Sequence, residues 1–214
     1  MSEIKFGAAL NVVPEMLKAD WKGLKTLALE CEKLGFDSLW VMDHMIWSRP
    51  YGPNVLEGWT ALTALATSTS RIRVGSLVLC VAYRNPSFLA KMASTLDVIS
   101  GGRLEFGIGA GWKEDEYKAY GIPFYKPSVR IKQLEEAITI IKKMWTEEKP
   151  TYMGENYHIE NLDFGPKPLQ KPHPPIWIGG GGEKLLLKIV AKYADAWNVW
   201  TAPKQFAHKV EILK

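Results

Sequence analysis

Hydrophobic residues fall into short runs that recur along the chain, and each run is mostly continuous rather than alternating with polar positions. Continuous runs are typical of strands that are covered on both faces, as in a parallel sheet. We therefore predict six parallel strands, over Lys5–Leu10, Asp37–Met42, Ile72–Cys80, Arg103–Gly109, Pro175–Gly179 and Asp195–Trp200.

The segments between these runs carry apolar residues at helical spacing. One apolar face is followed by Gly35, a typical C-terminal cap, and another comes after Asn85 and Pro86, an N-cap with proline at the first helical position. A further helix begins at Pro203. The predicted helical faces run over Trp21–Leu34, Leu89–Ile99, Ile131–Ile141 and Leu186–Tyr193.

Strands and helices thus alternate, which predicts an α/β fold, either a doubly wound sheet or a β/α barrel. Residues 1–214 form one predicted domain. Between Gly109 and Pro175 the spacing of the strands doubles, and we assign residues 146–174 to an insertion that carries a hairpin over the barrel mouth. A complete barrel has eight strands, so six indicate a shortened barrel, an open sheet or a sheet that a partner chain completes. An uncovered sheet edge predicts self-association.

Composition narrows the classes of function. The chain is 47% hydrophobic and 23% charged, as in soluble globular proteins, and its net charge of +4 forms no basic stripe that would indicate nucleic-acid binding. Apolar stretches are far shorter than the ~20 residues that span a bilayer, and there is no signal-peptide pattern, so we expect a cytoplasmic protein. Cys31 and Cys80 are expected to be reduced thiols. No second histidine lies at ligand spacing from His44, so we expect no metal site.

Two predicted strand ends carry residues suited to chemistry, and ligands of parallel α/β folds bind beyond the carboxyl ends of the strands. Asp43 and His44 follow the second strand. Histidine titrates near neutral pH and suits proton transfer, although such a pair can also serve only to cap a loop. The run of four glycines from Gly179 to Gly182 follows the fifth strand and precedes a helix that we predict to begin at Glu183. Its N–H groups can face a phosphate, or the run can be no more than a permissive turn.

The fourth predicted strand ends in a second glycine-rich segment, from Gly107 to Trp112. The last glycine of a dinucleotide-binding G-x-G-x-x-G motif would fall on Trp112, so we exclude a Rossmann site. We expect these glycines to let a flat ring approach the backbone, with Trp112 and Glu116 opening the next helix. Core packing is the alternative for each of the other tryptophans that can line such a pocket, which are Trp47, Trp177, Trp197 and Trp200.

Several segments resemble the luciferase-like monooxygenase superfamily, in its bacterial-luciferase-like and coenzyme F-420-dependent branch, and they occur in the same order along the chain. They include Asp43-His44, Asn85-Pro86, the stretch from Ser100 to Glu116, Pro166-Lys167-Pro168 and the stretch from Pro174 to Gly180. The resemblance extends from Ile4 to about Trp200. It implies a TIM (β/α)8-type barrel, here without its last two strands, that binds a flavin or coenzyme F-420 at its mouth, usually as a homodimer.

The resemblance also implies roles for individual residues. His44 would lie beside the reactive ring and Asp43 would contact the cofactor; with Glu116 they are the candidate catalytic residues. Leu77 and Val78 fall where the family has a non-proline cis peptide bond behind the ring. The other candidate cofactor-binding residues are Gly109, Gly111, Trp112, Asp115, Gly179, Gly180, Gly181 and Gly182.

One departure concerns the substrate. Trp47 lies one residue earlier than the pocket tryptophan of the sugar-phosphate dehydrogenases in this family, so that substrate is not assumed.

We therefore expect an oxidoreductase that uses coenzyme F-420 to transfer a hydride to or from a small organic substrate. An FMN-dependent monooxygenase, which needs oxygen and a flavin reductase as partner, is the second hypothesis. A barrel that binds a flavin, or nothing, without turnover is the third. The first two place a small-molecule substrate at the site, and none of the three involves a nucleic acid or a membrane.

Overall fold

Each of the six predicted runs contains a strand in the computed structural model, which describes residues 4–10, 20–47 and 54–214. Two further short strands lie in the insertion. In chain order the strands are β1 (Gly7–Leu10), β2 (Ser38–Val41), β3 (Arg73–Ser76), β4 (Leu79–Cys80), β5 (Leu104–Gly109), β6 (Tyr152–Met153), β7 (His158–Ile159), β8 (Ile176–Gly179) and β9 (Ala196–Asn198).

The main sheet runs in the order β1, β2, β3, β5, β8, β9, and every pairing along it is parallel. This order follows the chain, as in a β/α barrel, whereas a doubly wound sheet reverses direction at a switch point. The described residues therefore form the curled sheet of part of a barrel, and its outer strands are β1 and β9.

The third predicted strand needs a correction. We predicted one strand over Ile72–Cys80, whereas β3 ends at Ser76 and β4 starts at Leu79. The peptide bond between Leu77 and Val78 is cis, as the resemblance implied. The strand is interrupted at these two residues, and β4 then resumes the ladder with β5.

Seven helices lie in the described part of the chain, together with a 3-10 turn at Val81–Tyr83. They are α1 (Trp21–Lys33), α2 (Gly58–Ser68), α3 (Pro86–Ile99), α4 (Glu114–Ala119), α5 (Pro127–Thr146), α6 (Leu186–Tyr193) and α7 (Pro203–Leu213). Among the residues described, no helix has the length and apolar character needed to cross a membrane.

Side-chain caps fix the start of two of the predicted helices. Asp20 accepts the Gly23 N–H at 2.9 Å at the start of α1, and Asn85 accepts the Ser87 N–H at 3.0 Å at the start of α3.

The structure corrects the sequence prediction at two helices. Helix α2 was not predicted, and α6 begins at Leu186 rather than at the predicted Glu183. The intervening turn separates the glycine run from the helix N-terminus.

The two faces of the sheet differ in chemistry. Along β5, Leu104, Phe106 and Ile108 point to the helices and are 0–1% exposed, and Phe106 meets the Trp145 ring edge-on. The intervening Glu105 points into the barrel, where it accepts a 2.6 Å hydrogen bond from the indole of Trp177. Trp177 is thus a barrel-interior residue below the site.

The insertion carries the antiparallel pair β6–β7, which is anchored to α5. The Glu136 carboxylate on that helix accepts the backbone N–H groups of Glu155, Asn156 and Tyr157 at 2.9–3.2 Å. The turn between β6 and β7 is therefore held to the outer helical layer.

Candidate functional site

A cavity of about 450 Å³ opens where β2, β4, β5, β8 and β9 end. It is within the usual size of small-molecule sites. Most of its lining residues lie at or just after these five strand ends, and helices α4, α6 and α7 contribute one residue each. The lining residues are Asp43, His44, Leu77, Val78, Leu79, Cys80, Tyr83, Gly109, Ala110, Gly111, Trp112, Lys113, Glu116, Gly179, Gly180, Gly181, Leu186, Asn198, Val199, Trp200, Thr201 and Lys209.

His44 is oriented by Glu116. The ring atom Nδ1 lies 2.9 Å from Glu116 Oε2. An ionised carboxylate only accepts hydrogen bonds, so Nδ1 carries a proton and the other nitrogen, Nε2, has its lone pair available in the neutral ring. The rings of Trp47 and Trp112 stand edge-on to the imidazole, at centroid distances of 4.8 and 5.6 Å.

Glu116 is fully buried and holds more than the histidine. Its Oε1 accepts the N–H groups of Met45 and Ile46 at 2.9 and 3.0 Å, and its Oε2 accepts the Tyr83 hydroxyl at 2.9 Å. Burial opposes ionisation, but the hydrogen bonds from His44, Ile46 and Tyr83 outweigh it and lower the pKa of Glu116. The carboxylate is therefore ionised at neutral pH and fixes the loop after β2.

Asp43 faces an arginine that the sequence analysis did not single out. Arg84 forms a two-pronged ion pair with Asp43 at 2.8 and 2.9 Å, and the Cys80 N–H donates to Asp43 Oδ2 at 2.9 Å. Burial raises the pKa of the Asp43 carboxyl, and Arg84 and the Cys80 N–H oppose that rise. Arg84 also contacts Glu57, the residue that caps α2.

Val78 forms part of the cavity wall between two glycines. A Cβ placed on Gly109 would lie 2.9 Å from Val78 Cγ2, and one on Gly179 would lie 2.5 Å from the same atom. We expected the glycine-rich segment after β5 to leave room for a ring at the backbone. At these two positions the room is taken by the valine, so the wall offered to a ligand is a branched apolar side chain.

Cys80 and Tyr117 close the wall beneath Gly111. The thiol sulfur lies 2.9 Å from the Tyr117 hydroxyl, and a Cβ on Gly111 would lie 2.0 Å from that hydroxyl. Burial raises the pKa of the Cys80 thiol to about 11, so it stays protonated at neutral pH. Cys80 and Cys31 are both free and buried.

The glycine turn after β8 forms the far end of the cavity. The Gly180 N–H donates to Asn198 O at 2.9 Å, and the Trp197 indole donates to Gly180 O at 2.8 Å. Lys209 Nζ donates to Gly181 O at 2.7 Å. The turn is therefore fixed by the end of β9 and by α7.

The predicted site residues mostly meet at this one cavity. His44, Asp43, Glu116, Leu77, Val78, Gly109, Gly111, Trp112, Gly179, Gly180 and Gly181 all line it. Asp115 and Gly182 are not among the described residues that do. Asp115 instead pairs with Lys113, whose hydrogen bond lowers the pKa of that carboxyl.

The other tryptophans have separate positions. Trp200 lines the cavity, whereas Trp197 stacks on Phe206 at a centroid distance of 5.5 Å and Trp177 lies in the barrel interior. Among the residues that the structure describes, no group of three or more histidine, cysteine or acidic side chains is placed to hold a metal ion.

Sequence reasoning missed four polar residues of the site: Tyr83, Arg84, Lys113 and Lys209. Tyr83 and Arg84 follow the interrupted third strand, where no periodic pattern marks them. Lys113 is adjacent to Trp112 and could have been found by extending that segment. Lys209 lies on α7, and no spacing rule connects it with the glycine turn.

Comparisons with known proteins agree with this geometry. The sequence profile of luciferase-like monooxygenases matches residues 5–214. The chain is 37% identical over 159 residues to an uncharacterized protein of Mycobacterium tuberculosis, covering 74% of this chain and 55% of that one.

Two relatives have assigned activities. An F-420-dependent glucose-6-phosphate dehydrogenase of Amycolatopsis mediterranei is 30% identical, with 81% of this chain and 50% of the relative covered. An FMNH2-dependent dimethylsulfone monooxygenase of Pseudomonas putida is 31% identical, with 81% and 47% covered. The chain thus spans about half the length of the curated relatives it matches.

A solved structure extends the likeness to the fold. An F-420-dependent secondary alcohol dehydrogenase, in complex with an F-420–acetone adduct, superposes with a TM-score of 0.84 at 22% identity. The match covers 98% of this chain and 64% of that one. The described sheet is therefore part of a TIM barrel, as the resemblance implied.

Proposed function

The chain belongs to the luciferase-like monooxygenase family, and on that premise we propose that it is an oxidoreductase that uses coenzyme F-420 to pass a hydride to or from a small organic substrate. One observation carries the proposal. The His44–Glu116 pair and the glycine turn at Gly179–Gly181 line the same cavity, although the turn lies far along the chain from both His44 and Glu116.

The residues present fit a planar cofactor with a phosphate-bearing chain. Val78, Leu79 and Ala110 give the cavity an apolar wall against which a ring can lie. The glycine turn offers a backbone without side chains at the opposite end. The cavity is therefore apolar along its wall and polar at its two ends.

In the proposed reaction His44 holds or delivers a proton at Nε2. Glu116 fixes the tautomer through Nδ1, which leaves Nε2 as the nitrogen that can take up or release a proton. Asp43, paired with Arg84, holds the end of β4 through the Cys80 N–H and so places the wall. When bound, coenzyme F-420 supplies hydride chemistry, because it has carbon where a flavin has its reactive nitrogen.

A second candidate function is FMN-dependent monooxygenation. The observation that favours it is the 31% identity to the dimethylsulfone monooxygenase, which matches the identity to the dehydrogenase. The same wall and the same histidine would then serve a reduced flavin, and the protein would need oxygen and a flavin reductase.

Equilibrium binding of F-420 and FMN to the purified 214-residue chain tests the proposal. We expect F-420 to bind more tightly, and we expect its absorbance to change with substrate from a panel of small alcohols, aldehydes and sugar phosphates without oxygen uptake. Oxygen uptake on adding reduced FMN would favour the monooxygenase. No measurable affinity for either cofactor would leave a barrel without turnover as the better description.

The proposal includes a homodimer, which the resemblance implied. Light scattering on the purified chain, at concentrations around those used for cofactor binding, checks this part separately. A monomer would refute the homodimer without touching the proposed chemistry.

A further inference from the structure

Lys209 reaches from α7 to the glycine end of the cavity. Its Nζ donates to Gly181 O and to Glu183 Oε1, both at 2.7 Å. The side chain is only 15% exposed, and its stem packs over the turn, since a Cβ on Gly181 would lie 3.4 Å from Lys209 Cε. A largely buried ammonium therefore lies beside backbone that carries no side chain.

The carboxylate that pairs with Lys209 is a weak competitor for it. The Glu183 side chain is 41% exposed and can be hydrated without its partner. Because water can solvate the exposed carboxylate when the pair opens, the ammonium can exchange Glu183 for a more strongly bound anion at small cost. Lys113, the other lysine of the lining, follows β5 and pairs with Asp115, whereas Lys209 is the lysine that contacts the glycine turn.

The distribution of charge along the cavity has a direction. Asp43 and Glu116 lie at the end near β2, and Lys209 lies at the end near β8 and β9. These ends are three strand spacings apart in the sheet order, or about 14 Å along the curved sheet. The two ends differ in the partner of their cation: Arg84 is held by the buried Asp43, whereas Lys209 is held by the exposed Glu183 and is the one more easily transferred to an anionic ligand.

We propose that Lys209 recognises a phosphate ester at the glycine end of the cavity by transferring its ammonium from Glu183 to the phosphate. The inference rests on the proposed function, because it assigns one group of a ligand whose reactive part lies at His44. The phosphate belongs either to the cofactor or to the substrate, and the two sources share this chemistry.

Paired ligands with and without the phosphate test the assignment. The pairs are FMN with riboflavin, and F-420 with its deazaflavin lacking the phosphate-linked chain. We expect Lys209→Gln to weaken binding of each phosphate-bearing member about 10- to 100-fold and to leave the phosphate-free member unchanged. Lys209→Arg should restore most of the affinity because it restores the charge.

Lys188→Gln is the matched control, because it removes the same charge from an exposed position on the neighbouring helix α6. We expect it to change none of the four affinities. Glu183→Gln should have the opposite sign to Lys209→Gln and tighten phosphate-bearing ligands by up to about fivefold, since it removes the competing carboxylate.

The results separate this inference from the proposed function. If Lys209→Gln leaves both cofactors unaffected but weakens glucose 6-phosphate binding to the cofactor-loaded chain, the recognised phosphate is the substrate's. If it weakens phosphate-bearing and phosphate-free ligands equally, or changes neither the four affinities nor glucose 6-phosphate binding, with circular dichroism unchanged, the inference is wrong while the proposed function stands. If the wild-type chain binds none of the four ligands, both fail.

Discussion

The two ends of the cavity are built differently. At the histidine end, Glu116 is fully buried and accepts hydrogen bonds from four donors, and Asp43 is buried against Arg84. At the glycine end, every residue of α7 is at least partly exposed, and Lys209 is held by one exposed carboxylate and one carbonyl.

The difference separates a preorganised region from an adjustable one. A saturated buried network fixes the position of its members, because moving any one leaves a charged group without partners. An exposed pair can be exchanged with little loss of stability. We infer that the histidine end sets the chemistry and that the glycine end selects the ligand.

The largest expected effect comes from breaking the histidine end at its centre. Glu116→Gln should lower the free energy of unfolding by about 3 kcal/mol, because an amide oxygen cannot accept from all four donors and its NH2 group faces other donors. Turnover should fall with it, since His44 loses its orienting partner. Urea unfolding and steady-state rates measure the two effects.

Glu114→Gln provides the control on the same helix. Glu114 forms an exposed pair with Lys118, so its loss should change the free energy of unfolding by less than about 0.5 kcal/mol. If Glu116→Gln proved as stable as this control, the idea of a saturated, preorganised end would have to be abandoned.

His44→Ala separates chemistry from binding within the same end. We expect turnover to fall about 100-fold or more while the cofactor Kd changes less than about threefold, because Glu116 keeps its other donors and still holds the loop. The measurement pairs cofactor titration with rates. His158→Ala, at an exposed position on the insertion, is the control. Unchanged turnover would remove His44 from the mechanism.

The smallest effect is expected from Glu32, a carboxylate at the amino ends of the strands, away from both ends of the cavity. Partial burial opposes ionisation, but N–H groups of Ile72, Arg71 and Ser70 donate to Glu32 and lower its pKa from 4.5 to about 2. A lowered pKa contributes stability above pH 4.5 that is lost as the pH falls toward 2.

Glu32→Gln should therefore cost about 1 kcal/mol at pH 7, and this difference should shrink as the pH falls below 4.5 and disappear only below the folded-state pKa of about 2. Urea unfolding of both proteins at several pH values checks it, with cofactor affinity at pH 7 as the second readout. A difference that grew toward low pH would contradict the sign. A changed cofactor affinity would show that the amino ends of the strands, where Glu32 lies, influence ligand binding in the cavity at their carboxyl ends.

The sequence pattern was sufficient for an α/β fold with a parallel sheet, and the family resemblance selected the barrel, but neither predicted every element. Continuous apolar runs identified the strands because both faces of the sheet are covered. For the same reason they hid which residues point inward, so the sequence left Trp177 open between the pocket and core packing, and the structure places it beside Glu105 in the barrel interior. Helix α2 carries Trp59, Leu62 and Leu65 at helical spacing, so its signal was present and was not used.

In the site, sequence reasoning found groups that lie at strand ends and missed their partners. His44 and the glycine turn are visible because strand ends converge in parallel folds. Arg84 follows the interruption of the third strand and Lys209 lies on α7, and tertiary packing brings them to Asp43 and Gly181. The residues next to them in the sequence do not specify these contacts. They could be found only from coordinates.

Glu116 accepts from His44, Met45 and Ile46 on one side and from Tyr83 on the other, so one carboxylate ties the ends of two successive strand–helix units to α4. A substitution of Glu116 would need simultaneous compensating substitutions at several residues that lie far from it in the sequence. We expect lineages that diverge toward new substrates to drift first at α7 and in the segment after β9, because α7 has no buried residue and single substitutions there should cost little stability, and to inherit the carboxylate intact.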